Sequence, residues 1–167
     1  DKPTPPENLP QVPVDPPPVE PPTNRVRLYL AFRCESGEGL RGILDSLDRY
    51  QARGVFLFTP EQLIAQDDLV RRAVGQGHTV GLLAEEDTQA TLDYGNELLA
   101  RIAYTAATVA LVPEGQRVGF EGRGWICWNQ TADGRPRQGE RVAAYTQRLT
   151  RLLDNQNRTV YLTMDDS

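Results

Sequence analysis

Residues 47–81 read LDRYQARGVFLFTPEQLIAQDDLVRRAVGQGHTVG, and their punctuation decides the fold. On the N-terminal side, Leu40, Ile43, Leu44, Leu47 and Tyr50 recur at helical spacing on one face. Gly54 is expected to close that helix at its C′ position. The four residues VFLF at 55–58 are apolar without a break and are bounded by Gly54 and Pro60. A strand that is apolar on both faces is buried on both, as in a parallel sheet covered by helices. Asp67 can cap a second helix carrying Leu69, Val70, Ala73 and Val74, which stops at Gly75 and Gly77. Residues 79–83 then read as a further strand.

The same alternation extends in both directions. Residues 26–32 (VRLYLAF) are rich in strand formers and alternate. Thr88 is expected to cap a helix with Leu92, Leu98, Leu99 and Ile102 inward. Strands are predicted at 108–112, 117–120, 124–129 and 158–164, and a helix at 138–154. Strands that alternate with helices predict a parallel α/β sheet or barrel with right-handed crossovers. In either form the functional face lies at the C-terminal ends of the strands.

The first 22 of the 167 residues hold 10 of the 13 prolines, so the folding unit begins near residue 25. Residues 1–24 lack the amide hydrogens for a ladder and read as an extended, semi-rigid tether. With a start at Asp1 rather than Met, this reading places a signal peptide or anchor upstream and the domain, residues 25–167, at the cell surface or outside the cell. An interdomain linker is the plainer alternative. No apolar run approaches a membrane span. Net charge is −5, and the cations are scattered without a basic stripe, which argues against nucleic acid as a partner. One histidine and two cysteines are too few soft ligands for a structural zinc site.

The segment Leu69-Val70-Arg71-Arg72, with Gly77-His78, Val80 and Gly81 following in order, resembles the carbohydrate deacetylases of the NodB-homology type, the polysaccharide deacetylase family. Ala31-Phe32 fits the strand before that family's first motif, Trp128 its fourth motif, and YLTMDD at 161–166 its fifth. The resemblance covers nearly all of residues 25–167 and implies a divergent or incomplete (β/α) barrel. It also implies that the chemistry is gone. The family's catalytic base and one metal ligand fall on Arg33 and Cys34. Its two metal-binding histidines fall on Leu83 and Asp87. The arginine of its third motif is Leu111, and the acid of its fifth is Asp165. Metal-assisted amide hydrolysis needs a metal to polarise the carbonyl and a base in reach of the water. Leucine does not ligate, and arginine stays protonated. The resemblance therefore implies a pseudoenzyme with no catalytic residues, no metal and no cofactor.

Under that alignment the strand ends present Glu35, Glu38, Glu85, Glu86, Asp87, Asp165 and Asp166. The candidate ligand-binding residues are Arg33, Glu35, Glu85, Asp87, Trp125 and Asp165, with Trp128 assigned to the core. Arg33 is expected to ion-pair with one of the acids. His78 is expected to make a structural hydrogen bond away from the site. The reading that follows is a catalytically degenerate domain that binds a glycan or cell-wall polymer. The alternatives are a hydrolase of carbohydrate C–N bonds with a rebuilt acidic site, and an interaction module on a tether.

Overall fold

The computed structural model describes residues 27–121, 124–154 and 159–167. The tether assigned to residues 1–24 lies outside them. The elements run β1 (Arg27–Cys34), α1 (Leu40–Arg49), β2 (Val55–Phe58), α2 (Pro60–Ala65), α3 (Asp67–Gly75), β3 (Thr79–Leu83), α4 (Thr88–Ala103) and β4 (Ala110–Val112). They continue with β5 (Trp125–Cys127), β6 (Thr131–Asp133), α5 (Val142–Asp154) and β7 (Thr159–Asp165). The strands form one sheet in the order β5-β4-β3-β2-β1-β7-β6, and every pairing is parallel.

The two edge strands of that sheet, β5 and β6, are joined by a single 3-10 turn, Trp128–Gln130. One short stretch of chain thus pairs first with β4 and then with β7, so the sheet curls until its edges nearly meet. The result is a (β/α) barrel closed by a discontinuous strand. Side chains alternate across its wall. Phe32, Cys34, Phe56, Phe58, Leu82 and Val112 point outward and pack under the helices. Ala31, Val55, Leu57, Leu83, Leu111 and Ile126 fill the interior. Phe56 and Phe58 are fully buried, each worth about 2 kcal/mol of transfer free energy.

Several local expectations are corrected. The first helix ends at Tyr50, and Gln51, not Gly54, takes the left-handed position (φ 51°). Gly54 serves close packing, because a Cβ there would press on the Phe32 ring and Leu47. Asp67 sits in the first turn of α3, after an N-cap at Gln66. The N-cap position of α4 is Asp87 rather than Thr88, and its side chain makes no capping hydrogen bond. Helix α2 went unpredicted although Thr59-Pro60 is a start signal. The Thr59 hydroxyl accepts from the Gln62 N–H, and Pro60 occupies the first turn where no donor is needed. Residues 117–120 form no strand. The stretch 124–129 shortens to β5 and continues as the closing turn. Gly77 does end its helix in the left-handed region (φ 83°). Both cysteines are free.

Candidate functional site

The C-terminal ends of β1 and β7 bring Arg33 and Asp165 side by side as register partners, both facing the barrel mouth. Arg33 Nη2 and Nε donate to Asp165 Oδ1 at 2.6 and 3.0 Å. The guanidinium lies 4.9 Å from the ring centroid of Trp128, carried by the closing turn. Arg135 Nη1 approaches the other carboxylate oxygen at 3.6 Å and also binds Asp133. Its hydrogen bonds, first of all, hold Asp133 below the ordinary carboxylate value. Arg33 and Asp165 retain only 15% and 29% side-chain exposure. The centre of the mouth is therefore plugged by a paired, stacked cation. It cannot accept a proton, and its carboxylate partner is already engaged.

Next to the plug, the loops after β1, β2 and β3 enclose an open cleft of about 560 Å³. Its wall is acidic: Glu35, Glu61, Glu85, Glu86 and Asp87, with Leu83 and Tyr94 supplying apolar surface. None of these carboxylates makes an ion pair among the described residues. Burial raises Glu35 above its ordinary value; Arg33 opposes this, and the charge of Glu85 adds to it. Asp87 sits at the N-terminus of α4 in a left-handed conformation (φ 43°).

Asp166, expected among the acids presented at the strand ends, is instead turned inward. It is 2% exposed. Its carboxylate accepts from the backbone N–H groups of Glu35, Ser36 and Gly37 and from the Ser36 hydroxyl. Gly39 N–H donates to its backbone carbonyl at 2.6 Å. Asp166 thus pins the loop that aims Glu35 into the cleft. No local pattern announces this, because its partners lie 129 to 131 residues away.

Of the candidate residues, the structure brings Glu35, Glu85 and Asp87 together in the cleft, and Arg33 and Asp165 in the plug. Trp125 joins neither. It alternates with inward-facing Ile126, points outward from β5, and is 48% exposed on the barrel's flank. Trp128, read from sequence as core, both packs on the interior cluster and floors the plug. Arg135 and Tyr94 were missed; a single exposed arginine or tyrosine in a loop or helix carries no signal of its own. Leu111 is buried in the interior. His78 lies before β3, at the opposite end of the barrel from the mouth. Its Nδ1 accepts from Gly54 N–H at 3.1 Å and its ring meets Phe56 edge-on. Burial, then the charges of Arg53 and Arg72, lowers its pKa.

The three positions that would hold a metal in a barrel of this kind do not fit one. Cys34 is fully buried on the outward side, where burial pushes its thiol up, and it donates to the Phe32 carbonyl. Leu83 offers hydrocarbon. Asp87 alone offers oxygen. Among the described residues no three His, Cys, Asp or Glu side chains form a metal-binding group.

Neither protein-family models nor curated sequences give a match. Solved structures do. A peptidoglycan N-acetylglucosamine deacetylase catalytic domain from Eubacterium rectale superposes with a TM-score of 0.64 at 18% identity, over 87% of this chain and 78% of that one. The polysaccharide deacetylase Bc1974 from Bacillus cereus gives 0.59 at 19% identity, over 85% and 80%. A mutant of BA3943, described as a CE4 family pseudoenzyme with restored enzymatic activity, gives 0.60 at 13% identity, over 87% of this chain and 58% of that one. The class is thus a (β/α) barrel with a mouth at its strand ends. More particularly, the chain has the fold of the polysaccharide deacetylases.

Proposed function

We propose that the chain is a catalytically degenerate polysaccharide-deacetylase-like domain that binds a glycan or cell-wall polymer at its mouth. Residues 25–167 form the binding domain. Residues 1–24 hold it at the cell surface or on a secreted protein. The observation that carries this reading is the plug. Where the catalytic base would stand, Arg33 is bonded to Asp165 and stacked on Trp128. Leucine stands where a metal-binding histidine would be. Losses within one catalytic unit remove the same activity rather than adding small decrements. What remains is a cleft with carboxylates and Tyr94, groups that hydrogen-bond sugar hydroxyls and stack on sugar rings. Among the structural neighbours, the parent of the BA3943 mutant is described as a pseudoenzyme.

Acetate release from acetylated chitooligosaccharides and peptidoglycan fragments, with zinc, cobalt or nickel present, tests the first half. Turnover at the metal-free blank is expected, and metal-dependent turnover lost on chelation overturns it. Calorimetric titration with the same oligosaccharides tests the second half, with saturable binding expected and weakened by Asp87→Ala. A flat titration with every oligosaccharide overturns glycan binding.

One observation favours a second reading, a hydrolase with a rebuilt acidic site. Glu35, raised by burial, faces a cleft that also holds Glu85. A carboxyl whose pKa is raised by burial, set in a cleft beside a second carboxyl, suits general acid–base chemistry. Glycan cleavage or deacetylation without metal, abolished by Glu35→Gln, distinguishes it from a binding module.

A further inference from the structure

At the end of the barrel away from the mouth, the chain leaving α1 meets the turn from α3 into β3. A cavity of about 200 Å³ lies between them. The first segment lines it with Asp48, Gln51 and Arg53, the second with Gln76 and His78, and Leu47 adds apolar surface. Two of the lining groups have no partner. Gln76 Oε1 is buried and accepts no hydrogen bond. His78 is 8% exposed. Its Nδ1 is taken by Gly54 N–H, so the neutral ring carries its proton on Nε2. That Nε2–H donates to no group among the described residues. Buried polar groups are rarely left unbonded, and here an acceptor and a donor line one cavity.

The charges on the same cavity are also unmatched. Among the described residues, Asp48 and Arg53 form an ion pair neither with each other nor with a neighbour. The Arg53 guanidinium rests on the turn, where a Cβ at Gly77 would meet its Cζ at 3.3 Å. The charges of Arg53 and Asp48 both act on the His78 ring, so both stand close to it. Arg72, the other cation acting on the ring, is bonded to Asp45. The end of α1 is closed by Gln51 N–H on the Asp48 carbonyl and Ala52 N–H on the Leu47 carbonyl. Glycine usually takes the left-handed position of that closure. Here Gln51 takes it (φ 51°), and the cavity gains a side-chain amide.

We propose that this cavity binds a small free α-amino acid, its carboxylate on His78 Nε2–H and Arg53 and its ammonium on Gln76 Oε1 and Asp48. A bare anion would meet the charge of Asp48, and a bare cation that of Arg53. A zwitterion answers both charges and both unpartnered groups at once. Size sets the side chain. The cavity is smaller than a drug-sized site and has room for about six water-sized groups. Glycine or alanine fills that space, and a long or aromatic side chain does not fit. This inference stands apart from the glycan reading, since it concerns the opposite end of the barrel.

The test follows the His78 ring nitrogens by NMR in the full, ¹⁵N-labelled chain at fixed pH. His78 is the only histidine, so its signals are unambiguous. Glycine and alanine are expected to shift them saturably. N-acetylglycine and glycine methyl ester, each lacking one charge, should bind about tenfold more weakly, and phenylalanine should give no shift. Arg53→Gln and Asp48→Asn, both at exposed positions, should each weaken glycine by about tenfold as well. Absence of a saturable shift overturns the proposal and leaves the cavity to water. Equal shifts from glycine, acetate and methylammonium overturn it too, as an effect of ions in general. A glycine response insensitive to both variants, or abolished by Asp87→Ala at the mouth, places binding elsewhere and overturns the site.

Discussion

The two sides of the barrel mouth treat charge in opposite ways. On the β1–β7 side, Arg33, Asp165, Arg135 and Asp133 form a chain of ion pairs in that order, and Arg33 is stacked on Trp128 as well. On the β2–β3 side, five carboxylates line a cleft without an ion-pair partner among the described residues. A paired cluster resists change, because a ligand must first displace contacts already made. An unpaired, half-solvated wall is free to exchange water for a ligand's donors. One side of the same rim thus reads as structure and the other as recognition surface.

Removal of the pin common to both sides has the largest expected effect. Asp166→Ala strips the acceptor from three backbone N–H groups and a hydroxyl, of which the Gly37 N–H is buried and left without its partner. A loss of about 3 kcal/mol in denaturant unfolding is expected, together with weaker ligand binding as Glu35 loses its aim. Unchanged stability would mean that the loop is set by other contacts.

Next comes the plug itself. Arg33→Ala leaves Asp165 with only the longer contact to Arg135, and the double variant with Asp165→Ala removes both charges. A double-mutant cycle should give a coupling of about 1 kcal/mol, with the double variant less destabilised than the sum of the singles. Additive losses would show that the pair is a bystander. They would also break the contrast between the two sides.

A third measurement asks whether pH acts through the mouth or far from it. His78 has a lowered pKa in the folded state, so between that value and the ordinary 6.5 the unfolded chain binds more protons. Its contribution to stability is complete above 6.5 and is lost as pH falls below it, since protonation removes the acceptor for Gly54 N–H. His78→Gln should be less stable at neutral pH and should flatten the slope below 6.5. An unchanged slope would show that the loss of stability below 6.5 does not come from His78. Glu35 acts with the opposite sign: burial raises its pKa, so it costs stability at pH above its ordinary carboxylate value and that cost fades on acidification.

The smallest expected effect is at Trp125. Its ring lies on the flank, so Trp125→Ala should leave ligand binding unchanged and stability within about 0.5 kcal/mol. A large loss of binding would extend the recognition surface around β5.

The sequence makes the regular half of the barrel legible because each element there announces itself. VFLF at 55–58 could only be a doubly buried strand, and Gly77 could only end a helix. The closing half is quieter. Strand β6 has three residues and no apolar pattern, and its existence depends on β7 rather than on Thr131–Asp133 themselves. Arg33 and Asp165 were placed at the mouth by resemblance to a family, and their contact is a consequence of strand register. The core packing read for Trp128 is observed, but its stacking under Arg33 and the loop-pinning role of Asp166 were not read. Each of these contacts is made with residues far away in the chain, which no window of local sequence contains.

The closing turn also governs how the barrel fails. Residues 125–133 seal both edges of the sheet at once, and the seal is held within the turn by Cys127 N–H on the Gln130 side chain and by the Thr131 hydroxyl on the Trp128 carbonyl. A single proteolytic cut between residues 128 and 131 would release β5 and β6 together. It would leave β4 and β7 as two raw edges, each with unpaired amides ready to template another chain. Self-association after limited proteolysis is therefore the expected first sign of damage, ahead of loss of helix content. The same cut would take Trp128 from beneath Arg33, so the mouth and the seam would be lost together.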